Sequence, residues 1–330
     1  MSAVRQVRYH GADAMSERAG GVAAEECVAL GASQPRLQSY PNRELKLGSL
    51  DISRALPIRD RRMIGPWCFL DRFGPLTFRD GKPMDVAPHP HMGLQTVTWL
   101  LDGEVVHDDS LGSEAVLRPN GVNVMTSGAG IAHAEQTPRY NSGRLNGVQL
   151  WVALLDAHRH MPPGFLSVPE VPRLETSDAL VHVFAGTLQD TTSPAPHYSD
   201  LLGADLHLRS RRPCTVPLDP SHEHGVLVLS GDCTLDGEPL EQRLLYYLGT
   251  HRSEANFTSQ SDSRVLLIGG PPFPEPILMW WNFVARTADE IAQGRDDWER
   301  QQRFGEVTAY SGPRLAAPSL ARFARPNPLS

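Results

Sequence analysis

The chain holds 330 residues, with 31 Lys and Arg against 38 Asp and Glu, a net charge of −7 and a pI near 6.0. Hydrophobic residues at 40% and charged residues at 21% describe a globular chain long enough for about two domains, each with a core of its own. The absence of a basic excess argues against nucleic acid as a direct partner, and no apolar run reaches the ~20 residues of a membrane helix.

Residues 1–45 are rich in Ala, Gly and Ser with little periodicity, so they are expected to form an extension without a core. Their first stretch has no signal-peptide core. The four cysteines (Cys27, Cys68, Cys214 and Cys233) lack CxxC spacing, so neither a disulfide scaffold nor a thiolate zinc knot is expected, and a reducing cytoplasm fits. From there 28 Gly and 28 Pro break the chain into short apolar runs. Strands are predicted over 95–101, 104–107, 115–117, 122–125 and 147–155, then over 180–184, 205–208, 225–229, 243–248 and 265–268. Asp102-Gly103, Asn120-Gly121, Gly231-Asp232 and Asp236-Gly237 supply turns between them. Many short strands with frequent turns predict an all-β barrel or sandwich. The Pro-rich stretch 162–177 reads as the linker between two halves. A capping box, Thr287-Ala-Asp-Glu290, with Ile291, Trp298 and Phe304 as an apolar stripe, predicts one helix near the carboxyl end.

The two halves echo each other. Pro88-His-Pro-His91 opens into TVTWLLDGE, and Ser221-His-Glu-His224 opens into VLVLSGD, about one domain length downstream. His89 and His91, two apart, share one face of a strand, and His133-Ala-Glu135 repeats that spacing with an imidazole and a carboxylate. If these edges face each other across a barrel, three nitrogens and one oxygen surround one divalent ion and leave open positions. Such a set suits non-haem Fe(II), with Mn, Ni, Cu and Zn as competitors. In the second half, the step from His91 to His133 carries His224 onto Leu266, so no metal is expected there. His158 and His160 read as solvated loop residues, His107 as a hydrogen-bonded structural residue, and Trp280-Trp281 as packing between barrels.

His89-Pro-His-Met-Gly-Leu-Gln-Thr-Val-Thr-Trp-Leu-Leu-Asp-Gly103, running on through VVHDDSLGSEAVLRPNGVNVMTSGAGIAHAE, resembles the signature of the pirins, within the cupin superfamily. Gly65-Pro-Trp-Cys-Phe-Leu-Asp-Arg-Phe-Gly-Pro75, Leu150-Trp-Val-Ala-Leu154 and Glu275-Pro-Ile-Leu-Met-Trp-Trp-Asn-Phe-Val284 are also pirin-like, and the likeness spans roughly residues 48–310. The resemblance implies a bicupin, two tandem cupin β-barrels with a C-terminal helix. Its parts would be an N-terminal extension (1–45), a metal-binding cupin domain (46–165), a second cupin domain with a degenerate site (166–310) and a tail (311–330). It places the metal on His89, His91, His133 and Glu135, with Fe(II) favoured. Gln95 stands where most cupins carry Glu, and is expected to hydrogen-bond around the ligands. The implied activity is an Fe(II)-dependent dioxygenase of the quercetin 2,3-dioxygenase type. It would take a small aromatic, enol-bearing substrate and O2, with Glu135 accepting the substrate proton. The alternative is a non-enzymatic iron or redox sensor that regulates a protein partner.

Overall fold

The computed structural model describes residues 25–27, 37–47 and 50–320, which form antiparallel strands and one helix, Ala288–Glu299. The strand Leu94–Gly103 shows why the sequence folds this way. Its side chains alternate, so Val97 and Trp99 enter a core shared by both halves, while Thr98 turns to the opposite face and reaches Glu135.

In the first half a seven-stranded sheet runs in the order Gly164–Val168, Val122–Thr126, Leu94–Gly103, Arg144–Ala153, Trp67–Thr77, Leu50–Leu56, Arg43–Leu47. It packs on a four-stranded sheet ordered Asp85–His91, Ile131–Gln136, Val105–Asp109, Glu114–Leu117, with Leu50, Phe73, Leu100, Val105 and Leu117 in the apolar part between them. The second half repeats the plan. Its large sheet runs Arg173–Glu175, Ala179–Leu188, Leu202–Leu208, Ser263–Gly270, Glu223–Ser230, Leu244–Gly249, Gln38–Pro41, and its small one runs Cys214–Pro217, Glu254–Ser259, Cys233–Leu235, Glu238–Leu240. Here Val183, Leu206, Val226, Leu248 and Phe257 fill the interior with hydrocarbon.

The two large sheets pack on one another through Trp67, Val97, Trp99 and Leu150 from one side and Phe184, Leu227, Tyr247 and Ile268 from the other. Trp67 Nε1 donates to the carbonyls of Leu202 (3.1 Å) and Gly269 (3.0 Å), so its buried N–H is satisfied across the junction. Trp99 lies on Phe184, with 5.3 Å between ring centres, and donates Nε1–H to Asp205 at 2.8 Å.

All ten predicted strands are present, with ends displaced by a few residues, and Asp236-Gly237, both at positive φ, turns one short hairpin as expected. The supposed linker differs. Within 162–177, Gly164–Val168 pairs with Val122–Thr126 in the first half, and Arg173–Glu175 pairs with Ala179–Leu188 in the second. Prolines flank these strands instead of dissolving them. The extension differs too. Glu25–Cys27 pairs with Ile277–Trp280, Gln38–Pro41 joins the edge of the second half, and Arg43–Leu47 joins the edge of the first. The remainder of 1–36 lies outside the described residues. The helix starts at the predicted box: Thr287 Oγ1 accepts from the Glu290 N–H and Glu290 Oε2 from the Thr287 N–H. It buries Ile291 and Trp298 against Met92 and Phe283. Phe304 lies past the helix and stacks on Phe283 at 5.5 Å.

Candidate metal centre

The histidines of the first half stand on two neighbouring strands of the small sheet. Asp85–His91 is its edge strand, where Pro88 and Pro90 can be accommodated because one flank has no strand partner. Next to it lies Ile131–Gln136, and the register sets His133 directly opposite His89 on one side and Asp109 on the other. Glu135 is opposite His107. Paired residues of an antiparallel ladder point the same way, so spacing by two and this register together put His89, His91, His133, Glu135, His107 and Asp109 on one face. The pairs His89 with His91 and His133 with Glu135 are therefore neighbours within one sheet and do not face each other across a barrel as the sequence suggested.

Ring centres lie 4.4 Å apart for His89 and His133, 4.8 Å for His91 and His133, and 5.0 Å for His89 and His91. One nitrogen of each falls within 4.8 Å of the others. Burial pushes all three imidazoles toward the neutral form, His89 to about 4 and His91 and His133 well below their ordinary value, with neighbouring imidazoles adding to the effect. Neutral rings keep the lone pairs that a cation requires. His89 Nδ1 bonds the Ala87 carbonyl at 2.9 Å, which turns Nε2 inward. Nε2 of His133 and both ring nitrogens of His91 are buried without a hydrogen bond, although the Asn282 backbone approaches His91. Buried polar atoms are normally satisfied. A group of orphaned, inward imidazole nitrogens therefore fits a divalent ion, and the residues present pass that test.

Glu135 lies outside the 4.8 Å group but faces the same cavity. Burial pushes its carboxyl pKa up, opposed by His107 and by the Thr98 hydroxyl, which donates to Oε1 at 3.4 Å. The cavity holds about 210 Å³, and its walls include Leu50, Ile52, Phe69, Phe73, Trp151 and Trp281. Phe69 stacks on Trp151 at 4.0 Å and 13°, and the Trp151 ring meets His91 edge-on at 5.3 Å. Trp281 thus lines the cavity, and Trp280 packs with Phe283 beneath the helix; neither fills a junction between barrels.

Other expectations resolve individually. Gln95 points away from the histidines: its amide donates to Thr126 Oγ1 (2.9 Å) and the Pro196 carbonyl (3.1 Å), because it shares the face of Val97 and Trp99. It therefore braces the two halves and does not line the cavity. His107 is buried and hydrogen-bonded as expected, with Nε2 at 3.1 Å from Asp109 and its ring flat on Phe165 at 4.0 Å. It also reaches the candidate centre, Nδ1 to Nδ1 of His133 at 3.3 Å. Sequence reasoning passed over Asp109, although the spacing of His107 and Asp109 by two was the signal. In the second half His222 pairs with Asp200 (3.3 Å) and Asp219 (3.7 Å), and Leu266 is core. Among the described residues, His222 and His224 join no three-ligand group. His182, Asp205 and His207 do. Asp205 there already accepts from the Arg264 guanidinium and from Trp99, so a fixed cation occupies the carboxylate. His158 is half-buried near Tyr198, and His160 is exposed.

Two β-barrels joined through their large sheets, one filled with hydrocarbon and the other opening onto clustered imidazoles, define a bicupin with one candidate metal centre. The family model described as Pirin matches residues 49–152, and that described as Pirin C-terminal cupin domain matches residues 203–305. The chain belongs to the pirin family. A Pseudomonas aeruginosa protein named "putative quercetin 2,3-dioxygenase" is 43% identical over 83% of this chain and 87% of its own length. A pirin-like protein of Caulobacter vibrioides is 35% identical over 79% and 92%. The crystal structure of quercetin 2,3-dioxygenase from Acinetobacter baumannii is 43% identical, with a TM-score of 0.84 over 88% of this chain and 97% of that one.

Proposed function

We propose that this chain is an Fe(II)-dependent dioxygenase of the quercetin 2,3-dioxygenase type, holding its metal with His89, His91, His133 and Glu135. The observation that carries this reading is the set of neutral imidazole nitrogens turned inward at a cavity with stacked aromatic walls. When bound, the ion supplies Lewis acidity toward an ionised enol oxygen and, as iron, redox chemistry toward O2. The chain itself does the rest. Trp151, backed by the stacked Phe69 ring, and Trp281 offer apolar aromatic surface to an aromatic substrate and help exclude water. Glu135, raised in basicity by burial, takes the enol proton on a carboxylate oxygen, and the Thr98 hydroxyl orients that carboxylate. The relatives named for quercetin 2,3-dioxygenase support the substrate class. Buried thiols at Cys68, Cys214 and Cys233, none in a disulfide, suit a cytoplasmic setting. A concave, largely apolar lining with a few convergent polar groups favours turnover of a small molecule over the sensor alternative.

Anaerobic purification with metal quantification, then O2 uptake with quercetin after Fe(II) loading, tests the reading. One iron per chain with sustained turnover is expected, and His133→Ala and Glu135→Ala should lose metal and turnover together. Full O2 uptake by a metal-free protein overturns it.

A further inference from the structure

We propose that His107 and Asp109 are positioning residues which fix the tautomer of His133, so that its bare Nε2 faces the candidate centre. The inference rests on the reading of His133 as a ligand, but its hydrogen-bond logic comes from the turn that follows Asp109. Asp109 Oδ1 accepts the backbone N–H groups of Leu111 (2.9 Å) and Ser113 (3.0 Å), which fixes the carboxylate. Its second oxygen, Oδ2, lies 3.1 Å from His107 Nε2. An ionised carboxylate only accepts, so the hydrogen sits on His107 Nε2. With the His107 ring neutral, its other nitrogen is an acceptor, and His107 Nδ1 lies 3.3 Å from His133 Nδ1. His133 must donate through Nδ1, which leaves Nε2 with its lone pair. That atom is one of the buried nitrogens without a partner. Phe165, parallel to the His107 ring at 4.0 Å, keeps the imidazole from rotating out of line. Each link is set by the one before it, from a turn at the sheet edge to the ligand atom.

The chain of bonds can be reversed by a single isosteric change. In Asp109→Asn the amide oxygen is held by the two backbone N–H groups, so the NH₂ faces His107 Nε2. That nitrogen must then accept, the hydrogen moves to His107 Nδ1, and His133 must accept through Nδ1 and carry its hydrogen on Nε2. His107→Gln preserves the original direction, because its oxygen can accept from His133 while its NH₂ donates to Asp109. The test uses the full chain, metal-free and labelled with ¹⁵N-histidine, and reads imidazole tautomers from long-range ¹H–¹⁵N correlation spectra, followed by Ni(II) titration. The native protein and His107→Gln should carry the His133 hydrogen on Nδ1. Asp109→Asn should carry it on Nε2 and bind Ni(II) about 10–100-fold more weakly. A His133 Nε2–H in the native protein, or the same tautomer in native and Asp109→Asn chains, overturns the proposal. If Asp109→Asn fails to fold, loss of the Nδ1–H form in His107→Gln overturns it as well. A tautomer switch in chains that never retain Ni(II) upholds the relay and instead removes the reading of the centre as a metal site.

Discussion

His224 is 1% exposed, and its Nδ1 has no hydrogen bond. Burial holds its pKa down to about 4, reinforced by His222 and Arg252 and opposed by Asp219. Folded His224 therefore stays neutral where the unfolded imidazole, at about 6.5, takes a proton. Its contribution is fully present above pH 6.5 and is lost as pH falls from 6.5 through about 4. The gap between those values corresponds to about 3 kcal/mol. Urea midpoints measured from pH 7 to pH 4 should fall, and His224→Gln should flatten that fall. An unchanged slope in the variant would show that other groups carry the acid sensitivity. The same burial at His89, His91 and His133 leaves three neutral imidazoles side by side at the candidate centre. His224, by contrast, joins no three-ligand group among the described residues. One physical cause thus has different consequences according to which neighbours share the face.

The helix Ala288–Glu299 begins where both halves of its capping box close, and Glu290 also accepts Arg159 Nη1 at 2.7 Å. Thr287→Ala should cost about 1 kcal/mol in urea denaturation, and Thr287→Ser should recover most of it. A Thr287→Ala chain as stable as the parent would assign the helix start to the Arg159 contact instead. This helix was legible in the sequence because a capping box is local. So were strands such as Leu94–Gly103, whose turn and alternation lie within one segment. Asp85–His91 and Trp67–Thr77 were harder to delimit, because Pro88, Pro90 and Pro75 look like breaks until edge position and bends in the ladder are known. Gln38–Pro41 and Arg43–Leu47 are short, largely exposed edge strands, so burial left little apolar pattern to read. The site divides in the same way. The spacing by two of His89 with His91 and of His133 with Glu135 is written locally. The placement of His133 between His89 and Asp109, and of Trp151 and Trp281 on the cavity wall, depends on register and sheet packing that no short segment encodes.

At the scale of the whole molecule, the two barrels divide labour. The first gives up interior hydrocarbon for a cavity and a buried polar face, which costs stability through lost packing and desolvation. The second is filled by its own apolar side chains and packs on the first through the shared core between the large sheets. The chain also crosses from one sheet to the other within a single residue, at Asn42, which donates its N–H to the Arg243 carbonyl at 2.9 Å. Such interlacing predicts that neither half unfolds alone. Trp67→Phe tests this at its most telling point, since it keeps the ring volume largely intact but leaves the carbonyls of Leu202 and Gly269 without their indole donor. The expected loss is about 1–3 kcal/mol. Tryptophan fluorescence, far-UV circular dichroism and release of bound Ni(II) should follow one urea curve in the parent and one shifted curve in the variant. Metal release at a lower urea concentration than the loss of strand signal would show that the first barrel opens on its own. In that case the second barrel would be a neighbour of the candidate centre and not part of its support. Coincident curves would mean that the hydrocarbon-filled barrel stabilises the histidine cluster from across the junction, and that the filled half is retained because it holds the other in shape.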